Sequence, residues 1–396
     1  MQIIPPSLSI PLLEVCEYLD LPPVATYAGV CLWNHKPIFA DEPADDLQNL
    51  ACINTFTGSL DEQWFYLVSI AIEARGASTL PLMLNAMAAA RVGNSRVVTE
   101  CLQELAERID EVSTILQRMY EHCDSHVFYH RVRPFLAGSK NMGDAGLPNG
   151  VMYDVGTGVE DWRQYGGGSN AQSSLIQFFD IVLGVEHRPT GVTREDGSGH
   201  GEPEGVALRS RHNFIQEMRQ YMPGPHRRFL EHVGSVANIR EYVEARRSDK
   251  ALCLAYDASL AMLRAMRDKH IQMVSRYIIV KSREQRRNSR SISPQAERST
   301  TLNLANAKPL NNTPGVKKNL RGTGGTALIP FLKQARDETG EPAIDAWARR
   351  LLSNGPADSS FASLGKVDEH ADGQIEIVGM AGTWAMDDSE GGICHW

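Results

Sequence analysis

The sequence predicts an all-α fold, with long helices on one core and functional loops between them. Three observations carry this. Between Asp257 and Val280 the apolar residues Leu260, Leu263, Met266, Met273, Val274 and Tyr277 recur with a helical period. Residues 97–122 repeat it with Leu102, Leu105, Ile109, Val112, Ile115, Leu116 and Met119, and carry Glu and Arg on the opposite face. Strand signals are few and short.

In chain order, residues 1–60 mix prolines with apolar segments. From Gln63 to Ala90 the chain reads helical, and Pro81 opens a second helix there, since proline suits a first helical turn. Residues 134–170 are rich in Gly, Pro and Asn and read as loop. A helix starts near Asn170 and runs through SSLIQFFDIVLGV. An exposed loop follows at 188–208. Residues 213–230 are helical on either side of a turn at Pro223-Gly224-Pro225, and 236–248 and 252–285 give two more helices. In 281–321 lysines and arginines face Glu284 and Glu297 alone, among many Ser, Asn and Thr, which reads as a mobile basic loop. Helices resume after Gly322. Residues 356–396 are polar and glycine-rich and are expected to be a disordered tail.

Composition narrows the function classes. Hydrophobic residues make up 42% of 396, enough for a sizeable core, and the formal charge of -8 argues against a nucleic-acid partner. Seven scattered cysteines never form a CxxC pair, so reduced thiols in the cytoplasm are expected. No apolar run is read as reaching the ~18 residues of a membrane helix, and no signal peptide is expected. A monomer is expected.

His122, His126 and His130 recur every four residues and would share a face on a continuous helix, which would suit zinc. Pro134 follows closely, so a helix end with solvated histidines is the competing reading. The turns Gly166-Gly167-Gly168-Ser169 and Gly322-Thr323-Gly324-Gly325-Thr326 precede helices, where free N–H groups can hold an anion. Neither ends in Gly-Lys-Ser/Thr, so phosphate cradles are not expected. His270 shares the apolar face of Met266, Met273 and Val274. A core histidine satisfied by a hydrogen bond and a proximal haem ligand both account for it.

An ordered set of longer segments goes further. LPPVATYAG, WFYLVSIAIEA, RPFLAGSKN, LPNGVMYDVG, GGGSNAQSSLIQFFDIVLGV, MRQYMPGPHRRFL, LRAMRDKHIQMVSRYII and GTGGTALIPFLKQARDET strongly resemble the indoleamine 2,3-dioxygenase family. The resemblance runs from Leu21 to Thr339, apart from the loops at 188–208 and 281–321. It implies an all-helical domain over 61–355 that binds haem b, with residues 1–60 the remnant of a small N-terminal domain otherwise missing.

The resemblance implies His270 as the axial iron ligand, with Arg267 near a haem propionate and Asp180 paired to it. Phe65 and Ser69 would lie over the haem. Phe128 would pack on the indole and Arg133 would hold the substrate carboxylate. Ser169 and Asn170 would border the haem edge, and Gly168 and Thr323 would close over the substrate. The implied reaction adds both atoms of O2 across the C2–C3 bond of an indole, giving N-formylkynurenine from L-tryptophan. A haem-binding relative acting on another indole or as a sensor remains open, as does a helical scaffold that binds a partner through 281–321.

Overall fold

The computed structural model describes residues 2–43, 45–140, 142–143, 146–190, 214–282, 322–323 and 328–352, with the backbone of 367–369, 375–379 and 382–385. It is all-α in its main part, as expected. Strand β1 (Ile3–Ile4) leads into helix α1 (Pro6–Tyr18), whose Pro6 stands in the first turn. A π-helical turn at Ala28–Leu32 and the antiparallel pair β2 (His35–Pro37) and β3 (Leu50–Cys52) complete this region.

Helix α2 (Leu60–Gly76) starts where Ser59 Oγ accepts from the Glu62 amide at 3.2 Å. The buried Glu62 carboxylate turns back to the amides of Phe56 and Thr57 at 2.7 and 2.6 Å. Helix α3 (Thr79–Arg91) carries Pro81 in its first turn. Helix α4 (Ser95–Gln117) is capped by Asn94, whose Oδ1 accepts from Val97 N at 3.3 Å. A short α5 (Met119–His122) follows, and α6 (Ser125–Val127) runs into a π-helical turn at Phe128–Val132.

Two more strands lie inside the Gly/Pro-rich loop. β4 (Val151–Tyr153) pairs parallel with β1 and antiparallel with β5 (Trp162–Arg163). Helix α7 (Ser174–Leu183) ends at Gly184, whose φ of +66° is the left-handed cap glycine supplies. α8 (Phe214–Arg219) and α9 (Gly224–Val236) flank the Pro-Gly-Pro turn, and α10 (Ile239–Glu244) precedes the long α11 (Lys250–Val274). The last helices are α12 (Leu328–Thr339) and α13 (Ala346–Leu352).

The core lies where α11 runs along α4. Leu260 and Leu263 meet Leu102, Leu105, Ile109 and Val112, all fully buried, at about 1.5–3 kcal/mol for each side chain taken out of water. Ser259 Oγ donates to the Leu102 carbonyl at 2.9 Å across this seam. The Asp257 carboxylate accepts from the amides of Ile344 and Asp345, tying α11 to the start of α13.

Several expectations are corrected. The helix read over 97–122 breaks after Gln117, and Cys123 is extended, so His122, His126 and His130 do not share one helix face. His122 packs edge-on to Trp64, while the rings of His126 and His130 lie 4.4 Å apart, centre to centre. The stretch Leu60–Arg91 is long and apolar enough to cross a membrane by length and composition alone, because α2 and α3 follow each other with little charge. Half of its most apolar window is buried in the core.

The tail expected to be disordered carries a three-stranded antiparallel meander, β6 (Val367–Glu369), β7 (Ile375–Gly379) and β8 (Gly382–Ala385). The rest of the tail, the basic loop from 283 on and 191–213 lie outside the described residues.

Candidate active site

One cavity collects side chains from α2, the π turn after α6, the glycine-rich loop, α7, α11 and α12. His270 opens onto it from α11. No partner for its ring is found among the described residues, and burial, then the Arg267 charge, lower its pKa to about 4. The neutral imidazole is the favoured form, and it carries a lone pair on one ring nitrogen.

One turn before it, Arg267 Nη2 donates to both oxygens of Asp180 at 2.7 Å. Burial works against the Asp180 charge, but Arg267 and His187 outweigh it and hold its pKa below the ordinary value. The sequence reading missed His187. It lies three residues past the Gly184 cap and reaches Asp180 with Nε2 and Glu338 with Nδ1. Nothing in residue spacing marks it, since its partners stand on two other elements.

Phe65 and Ser69 lie one turn apart on α2 and both face the cavity. Ser69 Oγ donates to the Phe65 carbonyl at 3.3 Å. Phe65 and Phe128 place their ring centres 4.8 Å apart, and Tyr277 meets Phe128 edge-on at 5.6 Å. Arg133 follows Phe128 by five residues, a spacing that separates two faces of an α-helix. The π turn between them closes over five residues, so both side chains line the same cavity. Arg133 is 1% exposed, its guanidinium lies 5.7 Å from the Tyr129 ring centre, and burial lowers its pKa to about 10. The cation persists at neutral pH in a site poor in water.

Two further π turns border the cavity. Ala28–Leu32 supplies Val30 and Cys31, beside Tyr27, and Ser275–Val280 supplies Tyr277 and Ile278. Tyr27 and Cys31 were also missed, because π turns leave no distinctive residue spacing.

The glycine-rich loop has a packing reason for its composition. A Cβ on Gly167 would collide with the Leu136 carbonyl and the Gly138 amide, and one on Gly138 with the Tyr165 carbonyl. Two backbones cross there, and the crossing sets Gly168, Ser169 and Asn170 at the cavity edge. Gln172 locks it, accepting from Tyr27 N and donating to the Gly167 carbonyl, both at 2.9 Å. Thr323 Oγ1 donates to the Gly168 carbonyl at 2.6 Å, and Gly167 N to the Thr323 carbonyl at 3.0 Å. The two glycine-rich segments therefore bind each other.

Comparison with known proteins places this geometry. Residues 1–342 match the family model described as indoleamine 2,3-dioxygenase. The chain belongs to the indoleamine 2,3-dioxygenase family. Its members are dioxygenases, and this chain is an oxidoreductase of that class. It is 42% identical to the indoleamine 2,3-dioxygenase of Saccharomyces cerevisiae over 352 residues, 85% of this chain and 72% of that protein. It is 36% identical to the 6-hydroxytryptophan 2,3-dioxygenase of Fusarium equiseti over 335 residues, 85% and 74% of the two chains. With human indoleamine 2,3-dioxygenase 2 the identity is 30% over 349 residues, 87% and 74%. The family match reaches residue 1, ahead of the segment at Leu21 where the resemblance was first legible.

A haem b takes an axial donor, a histidine nitrogen among others, and sits in an apolar slot with cations near its carboxylates. His270 offers the nitrogen, and Ile72, Leu116, Ile176, Val274 and Leu332 contribute apolar wall. Arg267 stands on the same wall, one turn from His270. The residues present fit the group.

Proposed function

We propose that this indoleamine dioxygenase binds haem b through His270 and opens the indole of L-tryptophan between C2 and C3, giving N-formylkynurenine. The observation that carries the reading is His270 itself: a desolvated imidazole without a protein partner among the described residues, opening onto the cavity that also holds Arg133. The haem would supply the binding and activation of O2. Both oxygen atoms enter the product, so the net reaction needs no external reductant.

The rest falls to the chain's own side chains. Arg133, held nearly without water contact, is suited to pair with the amino-acid carboxylate through two parallel N–H bonds. Phe65 and Phe128 give the indole a face and an edge to pack on. Ser69 Oγ donates to a main-chain carbonyl of its own helix, and as a neutral hydroxyl it is too weak a base to act as one. Orientation and exclusion of water are then the protein's contribution. The paired glycine loops, with Gly168 and Thr323, close one side of the cavity.

A hydroxylated indole is the second reading, since a relative is named for 6-hydroxytryptophan. The Tyr27, Cys31 and Ser69 side chains on the cavity wall could meet a ring hydroxyl. The six described cysteines are free, which suits work in the cytoplasm.

The test is an absorption spectrum of the haem-reconstituted protein with and without L-tryptophan and O2. A Soret band, a shift on adding tryptophan, and a product carrying both labels from 18O2 are expected. Reconstituted protein without a Soret band would sink the haem reading, and haem binding without turnover would sink the substrate.

A further inference from the structure

A buried histidine stands behind the charged wall of this cavity, bonded to its Asp180, and the chemistry proposed above does not use it. Both ring nitrogens of His187 face carboxylates: Nε2 lies 3.1 Å from Asp180 Oδ2 and Nδ1 2.7 Å from Glu338 Oε2. A neutral imidazole has one N–H and one lone pair. Between two ionised carboxylates that lone pair would point at an oxygen, whereas the imidazolium donates to both. Burial opposes the charge, yet Asp180 and Glu338 outweigh it and raise the His187 pKa.

The imidazolium joins three elements. Asp180 on α7 also holds Arg267 of α11, whose Nη1 donates to Thr339 Oγ1 and to the Ala335 carbonyl on α12. Glu338 of α12 further accepts from Arg188 N at 3.1 Å and Gln334 Nε2 at 2.8 Å. Arg188 continues to Glu341 at 2.9 Å. α12 carries Leu328, Phe331, Leu332 and Ala335 into the cavity wall.

We propose that His187 is a positioning residue: by bridging Asp180 and Glu338 it holds Arg267 and α12 against the His270 side of the cavity. It thereby sets how firmly that side retains its bound group and how positive its surroundings are. The part concerning the bound group rests on haem being that group. Without the imidazolium, two buried carboxylates lose the cation they share, which is costly when nothing replaces it. α12 then keeps its bonds to Arg267 and Arg188 alone among these contacts. The environment of His270 becomes more negative by one charge, which favours ferric over ferrous iron.

The test uses the haem-reconstituted full chain with His187→Gln, His187→Phe and His187→Lys. The Gln and Phe variants should keep the helical circular dichroism and bind haem. They should lose it to apomyoglobin about tenfold faster than wild type and show a lower ferric/ferrous midpoint potential. His187→Lys, which restores a cation between the carboxylates, should move the midpoint back toward wild type. Should His187→Phe fail to fold, Glu338→Gln breaks one arm of the bridge without emptying the core. Equal midpoints and haem-loss rates in all variants would overturn the proposal. So would lowered melting temperatures with an unmoved midpoint. If wild type itself takes up no haem, the haem reading fails separately. Hydrogen exchange over 328–339 then still tests the bridge, with faster exchange in His187→Gln expected and unchanged exchange overturning it.

Discussion

Arg133 is a cation at 1% exposure whose pKa burial has lowered to about 10, so a carboxylate brought beside it gains far more than it would in water. Arg133→Ala should keep haem and the ferrous–CO spectrum. It should cost about 2–4 kcal/mol of transition-state binding, about 30- to 1000-fold in kcat/KM for L-tryptophan. Indoles lacking the carboxylate should lose far less, and equal losses on both would make Arg133 a support of the fold. His270→Ala should abolish haem retention, and an unchanged Soret maximum in that variant would remove His270 from the axial position. Arg133 lies five residues after Phe128, a spacing that does not put the two on one α-helical face. The π turn at Phe128–Val132 turned it inward, and five-residue periodicity has no residue signature to announce it.

At the scale of elements, the crossing of Gly138 and Gly167 positions the cavity edge. Gly167→Ala has backbone on every near side, so it should destabilise the fold by about 1–3 kcal/mol and speed haem loss. Gly168→Ala next door meets its nearest atom, the Ala25 carbonyl, at 3.5 Å and should leave stability nearly unchanged. Thermal melting of the two variants compares them directly, and equal shifts would contradict the crossing. The glycines marked this stretch as a loop before a helix, with no phosphate cradle expected, but did not mark it as a place where two backbones cross. Backbone-to-backbone contact between segments thirty residues apart is invisible until both are placed. The histidines of α5 and α6 make the complementary case, since their four-residue spacing was legible and the helix break at Cys123 was not.

Across the whole molecule, the buried His187 and the half-buried His226 pull stability in opposite directions with pH. His226 donates to or accepts from Ser174 Oγ at 2.7 Å, and burial lowers its pKa below 6.5. Its neutral form is favoured in the fold, so its contribution is complete above pH 6.5 and is lost as pH falls through the lowered value. His187 has the raised pKa, so its contribution is complete below pH 6.5 and is lost as pH rises through the raised value. Denaturant unfolding across pH should show both slopes. His226→Gln should flatten the acid side and His187→Gln the alkaline side; a variant that flattens the wrong side would reverse the assignment.

The amino-acid sequence by itself determined the helical class, the apolar faces of α4 and α11, the place of His270 on the latter and, through its ordered segments, the family. These are properties of periodicity and of long local strings, which need no knowledge of what a residue will touch. The tertiary structure alone decided that a π turn brings Arg133 and Phe128 to one cavity, why Gly167 is a glycine, and that His187 spans Asp180 and Glu338. It also decided that Val367–Glu369, Ile375–Gly379 and Gly382–Ala385 pair as strands. Each of these depends on a partner from a distant element or on a turn of unusual period. The free energy that selects such contacts appears only when the elements pack and water leaves the space between them.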